Sequence, residues 1–163
     1  MPQLTEPNNL PPAPYASNNA LFKDATLRQT VYITLPADQI RIRISNAFGN
    51  TPLPITAVTV ALPGSDGAAG VKTIQVDTLN AVTFDGKPSI TVPAGGLVVS
   101  DPIDFSVEAQ SNLAVSIYSQ EGQSGQSITG HPGSRTTSWF AGGDHVSKES
   151  LDSGMQVQSA AHW

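Results

Sequence analysis

The sequence predicts an all-β protein: an antiparallel, jelly-roll-like β-sandwich preceded by a Pro/Asn-rich N-terminal arm. Three observations carry this. Apolar and polar residues alternate with period two in several short runs, and no window shows a convincing helical period. The 163 residues include 14 Gly and 13 Pro, which punctuate those runs as turn residues do. Only 13% of residues are charged while 39% are hydrophobic, a balance that suits packed sheets. The length is that of about one domain and is enough for a real core.

Residues 1–19 hold five prolines and four asparagines and read as an extended arm that follows a surface, with Tyr15, Leu21 and Phe22 as anchors. Residues 20–163 read as the sandwich domain. In 27–35, Leu27, Val31, Ile33 and Leu35 share one face, Gln29 being the exception, and Arg28, Thr30 and Thr34 face outward. After a turn at Pro36-Ala37-Asp38, Ile40, Ile42 and Ile44 alternate with Arg41 and Arg43, the clearest strand in the chain. Two outward arginines call for solvent or acidic cross-strand neighbours. A loop at 45–50 leads to a strand over 54–62 with Val58, Val60 and Leu62 on one face. Beyond the turn at 64–67, short strands are expected near 73–76, 81–84, 89–92, 97–99 and 103–107. In 112–118, Leu113, Val115 and Ile117 point inward and Ala114, Ser116 and Tyr118 outward. Residues 120–130 read as a long flexible loop, and 141–163 are weakly patterned.

Composition narrows the function classes. A net charge of −5 with 8 Lys+Arg argues against a nucleic-acid partner. No apolar run is long enough for a membrane span, and Met1-Pro2-Gln3 does not open a signal peptide. There are no cysteines, hence no disulfide or thiol chemistry. Neither a G-x-S-x-G elbow nor an H-E-x-x-H zinc motif occurs. Histidines at 131, 145 and 162 are too scattered for a local metal motif, though a fold could gather two of them. Asp144-His145 is a weak dyad, because strand neighbours point apart. Asp66, Asp101 and Asp104 read as turn residues before calcium ligands. No nucleophile, base, metal site or cofactor cradle is expected.

The densest chemistry lies in 131–140, HPGSRTTSWF. Pro132-Gly133 reads as a turn and 134–140 as a strand. Alternation puts Arg135, Thr137 and Trp139 on one face, opposite Ser134, Thr136, Ser138 and Phe140. A guanidinium fork beside an indole plate suits a planar or sugar ligand. Arg135, Trp139, His131 and Thr137 are therefore the candidate ligand-binding residues. The alternative is structural: Arg135 bonds backbone carbonyls at a domain edge and Trp139 fills core.

Four segments in order, MPQLTEP at the start, QIRIRISNAFG at 39–49, PITAVTVA at 54–61 and HPGSRTTSW at 131–139, resemble the N-terminal half of fungal SGNH/GDSL-type acylhydrolases. The resemblance spans nearly the whole chain. It implies a secreted, extracellular setting and a β-sandwich accessory half followed by a hydrolase half. The family's Gly-Asp-Ser nucleophile motif and late D-x-x-H motif do not occur here, so no catalytic residue carries over. The chain ends at Ala161-His162-Trp163, about where the family passes into its hydrolase half. The resemblance thus implies a non-catalytic module that binds carbohydrate near an esterase site. Other readings are a stand-alone lectin or lectin-like defence or immunomodulatory protein that self-associates, and a structural domain packed on a hydrolase half through Trp163 and its neighbours. An unrecognised enzyme site around His131 or His145 is the remaining one.

Overall fold

The computed structural model describes residues 2–16, 20–64, 67–134, 136–152, 157–158 and 161–162. Among these, helical structure is confined to two 3-10 turns, Pro7–Asn9 and Val76–Thr78. The strands in chain order are β1 (Gln3–Leu4), β2 (Ala25–Ile33), β3 (Ala37–Ile40), β4 (Arg43–Ser45), β5 (Leu53–Ile55), β6 (Ala57–Ala61), β7 (Asn80–Ala81) and β8 (Ile90–Val92). They continue with β9 (Leu97–Val99), β10 (Ile103–Val107), β11 (Ser111–Ser119), β12 (Thr129–Pro132), β13 (Ser138–Gly142), β14 (Val157–Gln158) and β15 (Ala161–His162). The fold is all-β, antiparallel and sandwich-like.

One layer is a six-stranded sheet ordered β14-β13-β2-β11-β6-β7. The facing layer is built from pairs: β3 with β10, β4 with β9, and β5 with β8. Between them lies the main core, in which Val58, Val60, Phe105 and Leu113 are all buried. Ile40, Ile42 and Ile44 pack against it from the second layer.

The expected 40–44 strand starts earlier and is interrupted. β3 and β4 run as one path against β9 and β10: Arg43 faces Val99, and Ile40 faces Ile103. The ladder breaks at Arg41 and Ile42 because Pro102 has no N–H to offer. Buried Ser100 mends the gap. Its Oγ accepts from Ile42 N at 2.9 Å, and its own N–H donates to Ile42 O at 2.8 Å. The acidic partners expected for the arginines are mostly absent: Val99 stands opposite Arg43, and Arg41 donates to the Ser100 carbonyl at 3.1 Å. Asp101 is close enough for Arg41 to help lower its pKa, behind the larger effect of the Thr83 hydroxyl.

The outward faces expected for β2 and β11 are buried instead. Arg28, Ala114 and Ser116 are each at most 2% exposed. Two irregular segments, around residues 70–79 and 143–151, lie over this side of the sheet. Small and hydroxyl side chains there let backbone approach closely: Thr59 Oγ1 donates to Val146 O at 2.9 Å, and Thr26 Oγ1 to Gly143 O at 2.7 Å. The strand expected at 73–76 is absorbed into this cover. Only single bridges form, Pro63 with Ile74 and Thr73 with Ser150, before the 3-10 turn.

The N-terminal segment is tied down. β1 pairs with β12, Thr5 N donates to Ile128 O at 3.0 Å, and Tyr15 stacks on Phe140 with ring centroids 5.0 Å apart. The loop at 120–130 is also anchored: Leu21 and Gln123 exchange both backbone bonds, and the Gln123 amide donates to Asn46 Oδ1 at 2.8 Å. Gly122 makes this possible. Its φ is +73°, and a Cβ there would sit 2.6 Å from Leu21 O.

Candidate functional site

A cavity of about 420 Å³ lies between the two layers. Its floor is the inner face of the main sheet. β2 contributes Gln29, Val31 and Ile33, and β11 contributes Leu113, Val115 and Ile117. The β3–β4 path supplies the opposite wall, residues 40–44, and His131 of β12 closes one end. Eight of the twelve lining residues are aliphatic, and the other four are Gln29, Arg41, Arg43 and His131. Several of the aliphatic ones keep water contact; Val31 is 38% exposed. An apolar hollow with a few polar groups at its margin is the usual form of a small-molecule site.

The residues singled out in 131–140 separate in space. His131 is exposed at the cavity. Trp139 lies on the other side of the main sheet, in a cross-strand row that runs Trp139, Arg28, Ser116, Thr59. The next row, Phe140, Leu27, Ile117, Val58, faces the core. Trp139 is half-buried; its indole N–H donates to Gly70 O at 2.8 Å, and the Lys72 ammonium stands 5.8 Å from the ring centroid. Donor and one ring face are thus already engaged. Thr137 is half-buried beside Gly70. Arg135 lies outside the described residues, as do Asp66 and Trp163.

The strand expected over 134–140 begins only at Ser138. β12 runs through Pro132, and a turn at Gly133 follows, with φ +76°. Gly70 lies over the sheet face at this point, close to Thr136 and Thr137. Its N–H donates to Thr30 Oγ1 at 2.7 Å, and the Gln29 amide donates to Ser138 Oγ at 2.8 Å. Ser134 Oγ and Thr136 Oγ1, on either side of Arg135, are buried without a hydrogen-bond partner among the described residues.

Beside Trp139 on that face sits Arg28. Its guanidinium is fully buried and donates to Ser116 Oγ and to the carbonyls of Lys72, Glu149, His145 and Lys148. Burial lowers its pKa below the usual arginine range, to about 10, so it stays charged at neutral pH. Arg28 thus clamps backbone carbonyls of both covering segments. Its position in a run of polar residues on β2 gave only the signal of a solvent-facing side chain.

The cavity had one signal in the sequence. Gln29 interrupts the inward apolar stripe of β2, and the structure puts it on the cavity floor. Asp144 and His145 form no dyad: Asp144 Oδ1 accepts from Val146 N at 3.2 Å, and His145 Nδ1 is buried without a partner among the described residues. Asp101 makes a turn, accepting from Thr83 Oγ1 at 2.6 Å and Gly86 N at 2.8 Å. The β12–β15 backbone register pairs His131 with His162. No group of three or more metal-ligating side chains occurs among the described residues. The chain matches no protein-family model and no curated protein.

Proposed function

We propose that this chain is a non-catalytic β-sandwich binding module that seats a ligand in the cavity between its layers. The observation that carries this reading is the open apolar lining from Val31 to Ile44, bordered by Arg41, Arg43 and His131. A monomeric domain seldom leaves so many aliphatic side chains in one unfilled hollow unless something occupies it. The accessory half of an esterase-like protein, which the sequence resemblance implies, is the setting that fits such a module.

The test is binding of the neutral dye Nile red to the folded protein. Fluorescence should rise and saturate, and Ile42→Glu, which puts a charge on the wall, should abolish the rise while circular dichroism stays unchanged. A folded wild-type protein that leaves the dye dark removes the reading. Carbohydrate recognition at the Trp139 edge is the second reading, favoured by the part of Trp139 and of Thr137 that remains exposed. A glycan array decides it: specific binding lost in Trp139→Ala would move the ligand site from the cavity to that edge.

A further inference from the structure

The margin of the cavity differs from the rest of the molecule in charge. The chain carries a net −5, yet two arginines and a histidine line this hollow, and no carboxylate among the described residues does. Among the described residues the Arg43 guanidinium has neither a hydrogen-bond partner nor a salt bridge. Arg41 uses one N–H on the Ser100 carbonyl and interacts electrostatically with the Asp101 carboxylate, which does not line the hollow. Arginine pairs with carboxylate through two parallel hydrogen bonds, and low-dielectric walls strengthen that attraction. The floor beneath offers only aliphatic carbon and the Gln29 amide. A volume of about 420 Å³ falls in the range of small-ligand sites, and it is too small for a folded partner.

We infer that the ligand is a medium-chain aliphatic carboxylate, its hydrocarbon chain in the cavity and its carboxylate at Arg41 and Arg43. The inference rests on the binding-module reading above and adds the ligand's charge and shape. The apolar chain supplies affinity by leaving water, and the arginines select the head group.

Decanoate, decanol and decylammonium share one chain and differ in head charge. Each is titrated against the protein loaded with Nile red, near neutral pH and at low salt. Decanoate should displace the dye at a concentration about tenfold lower than decanol, and decylammonium should be weakest. The preference for decanoate over decanol should shrink at high salt. It should vanish in the Arg41→Gln/Arg43→Gln double variant, with Nile red binding retained. If that variant does not fold, Arg43→Gln alone should reduce the preference severalfold. Equal displacement by all three amphiphiles overturns the inference and leaves the binding module standing. A preference that survives loss of both arginines also overturns it. A dye that never binds sinks both proposals together.

Discussion

Arg28 and Ser116 stand directly opposite each other across β2 and β11, and Arg28 Nε donates to Ser116 Oγ at 2.8 Å. The remaining guanidinium donors reach past the sheet to four backbone carbonyls in the two covering segments. One side chain thereby joins the central strands to the cover. No carboxylate among the described residues shares the site, so the Ser116 hydroxyl and the backbone carbonyl dipoles solvate the buried charge.

Arg28→Met should cost roughly 3–5 kcal/mol, because it strands several buried acceptors at once. Urea denaturation measures this. Arg28→Lys should recover only part of the loss, since three donors cannot reproduce a five-donor fork. The depressed pKa also fixes the pH dependence. Below about 10 both folded and unfolded chains hold the proton, so this residue adds no slope near neutrality. Above about 10, until the unfolded chain's arginine itself titrates, the unfolded state binds more protons, and the contribution of this residue to stability rises with pH.

Asp101 should govern part of the acid response. Hydrogen bonds from the Thr83 hydroxyl and from Gly86 N hold its pKa below the ordinary value. The stabilisation is complete above the unfolded carboxylate pKa of about 4 and is lost as the pH falls through the lower folded value. Thermal midpoints measured from about pH 5 down to about pH 2 should fall less steeply in Asp101→Asn than in the wild type. Parallel curves would show that the turn at Asp85 and Gly86 does not depend on this charge.

Phe140 is fully buried and stacks with both Tyr15 and Phe22. Phe140→Ala should cost roughly 3–5 kcal/mol. Tyr15→Ala should cost about 2 kcal/mol, and it should loosen the N-terminal segment before the core. Limited proteolysis reads the difference: cleavage near residue 20 should appear in the Tyr15 variant under conditions where β11 stays protected. Uniform loss of protection would mean that the segment and the sandwich unfold as one unit.

Trp139→Phe removes the bond to Gly70 O and keeps most of the ring. The expected loss is about 1 kcal/mol. Nile red binding should be unchanged, because Trp139 and the cavity lie on opposite sides of the main sheet. A drop in dye affinity without unfolding would link the two faces and count against a self-contained cavity.

Gly122→Ala should destabilise by roughly 2 kcal/mol, since a left-handed residue there would also strike the Leu21 carbonyl. Hydrogen exchange should show the change first at Leu21 and Gln123, which exchange backbone bonds across that point.

The strand class and several strands were legible from local pattern. The alternation in 112–118 and 103–107 matches β11 and β10, because period-two alternation is a property of neighbours along the chain. Turn chemistry was local as well, as at Gly133 and Asp101. The two faces of β2 and β11 were not legible. Polar Arg28, Thr30 and Ser116 read as outward, and only the folding back of distant segments over them makes that face interior. Nor did spacing along 134–140 reveal that β13 begins only at Ser138, or that Gly70 packs against Thr136 and Thr137. Register was likewise hidden, and it decides that Trp139 aligns with Arg28 while His131 turns to the cavity. Alternation along one strand determines which side chains share a face. What lies over that face is set by pairings between residues a hundred positions apart, and those exist only once the chain has closed on itself.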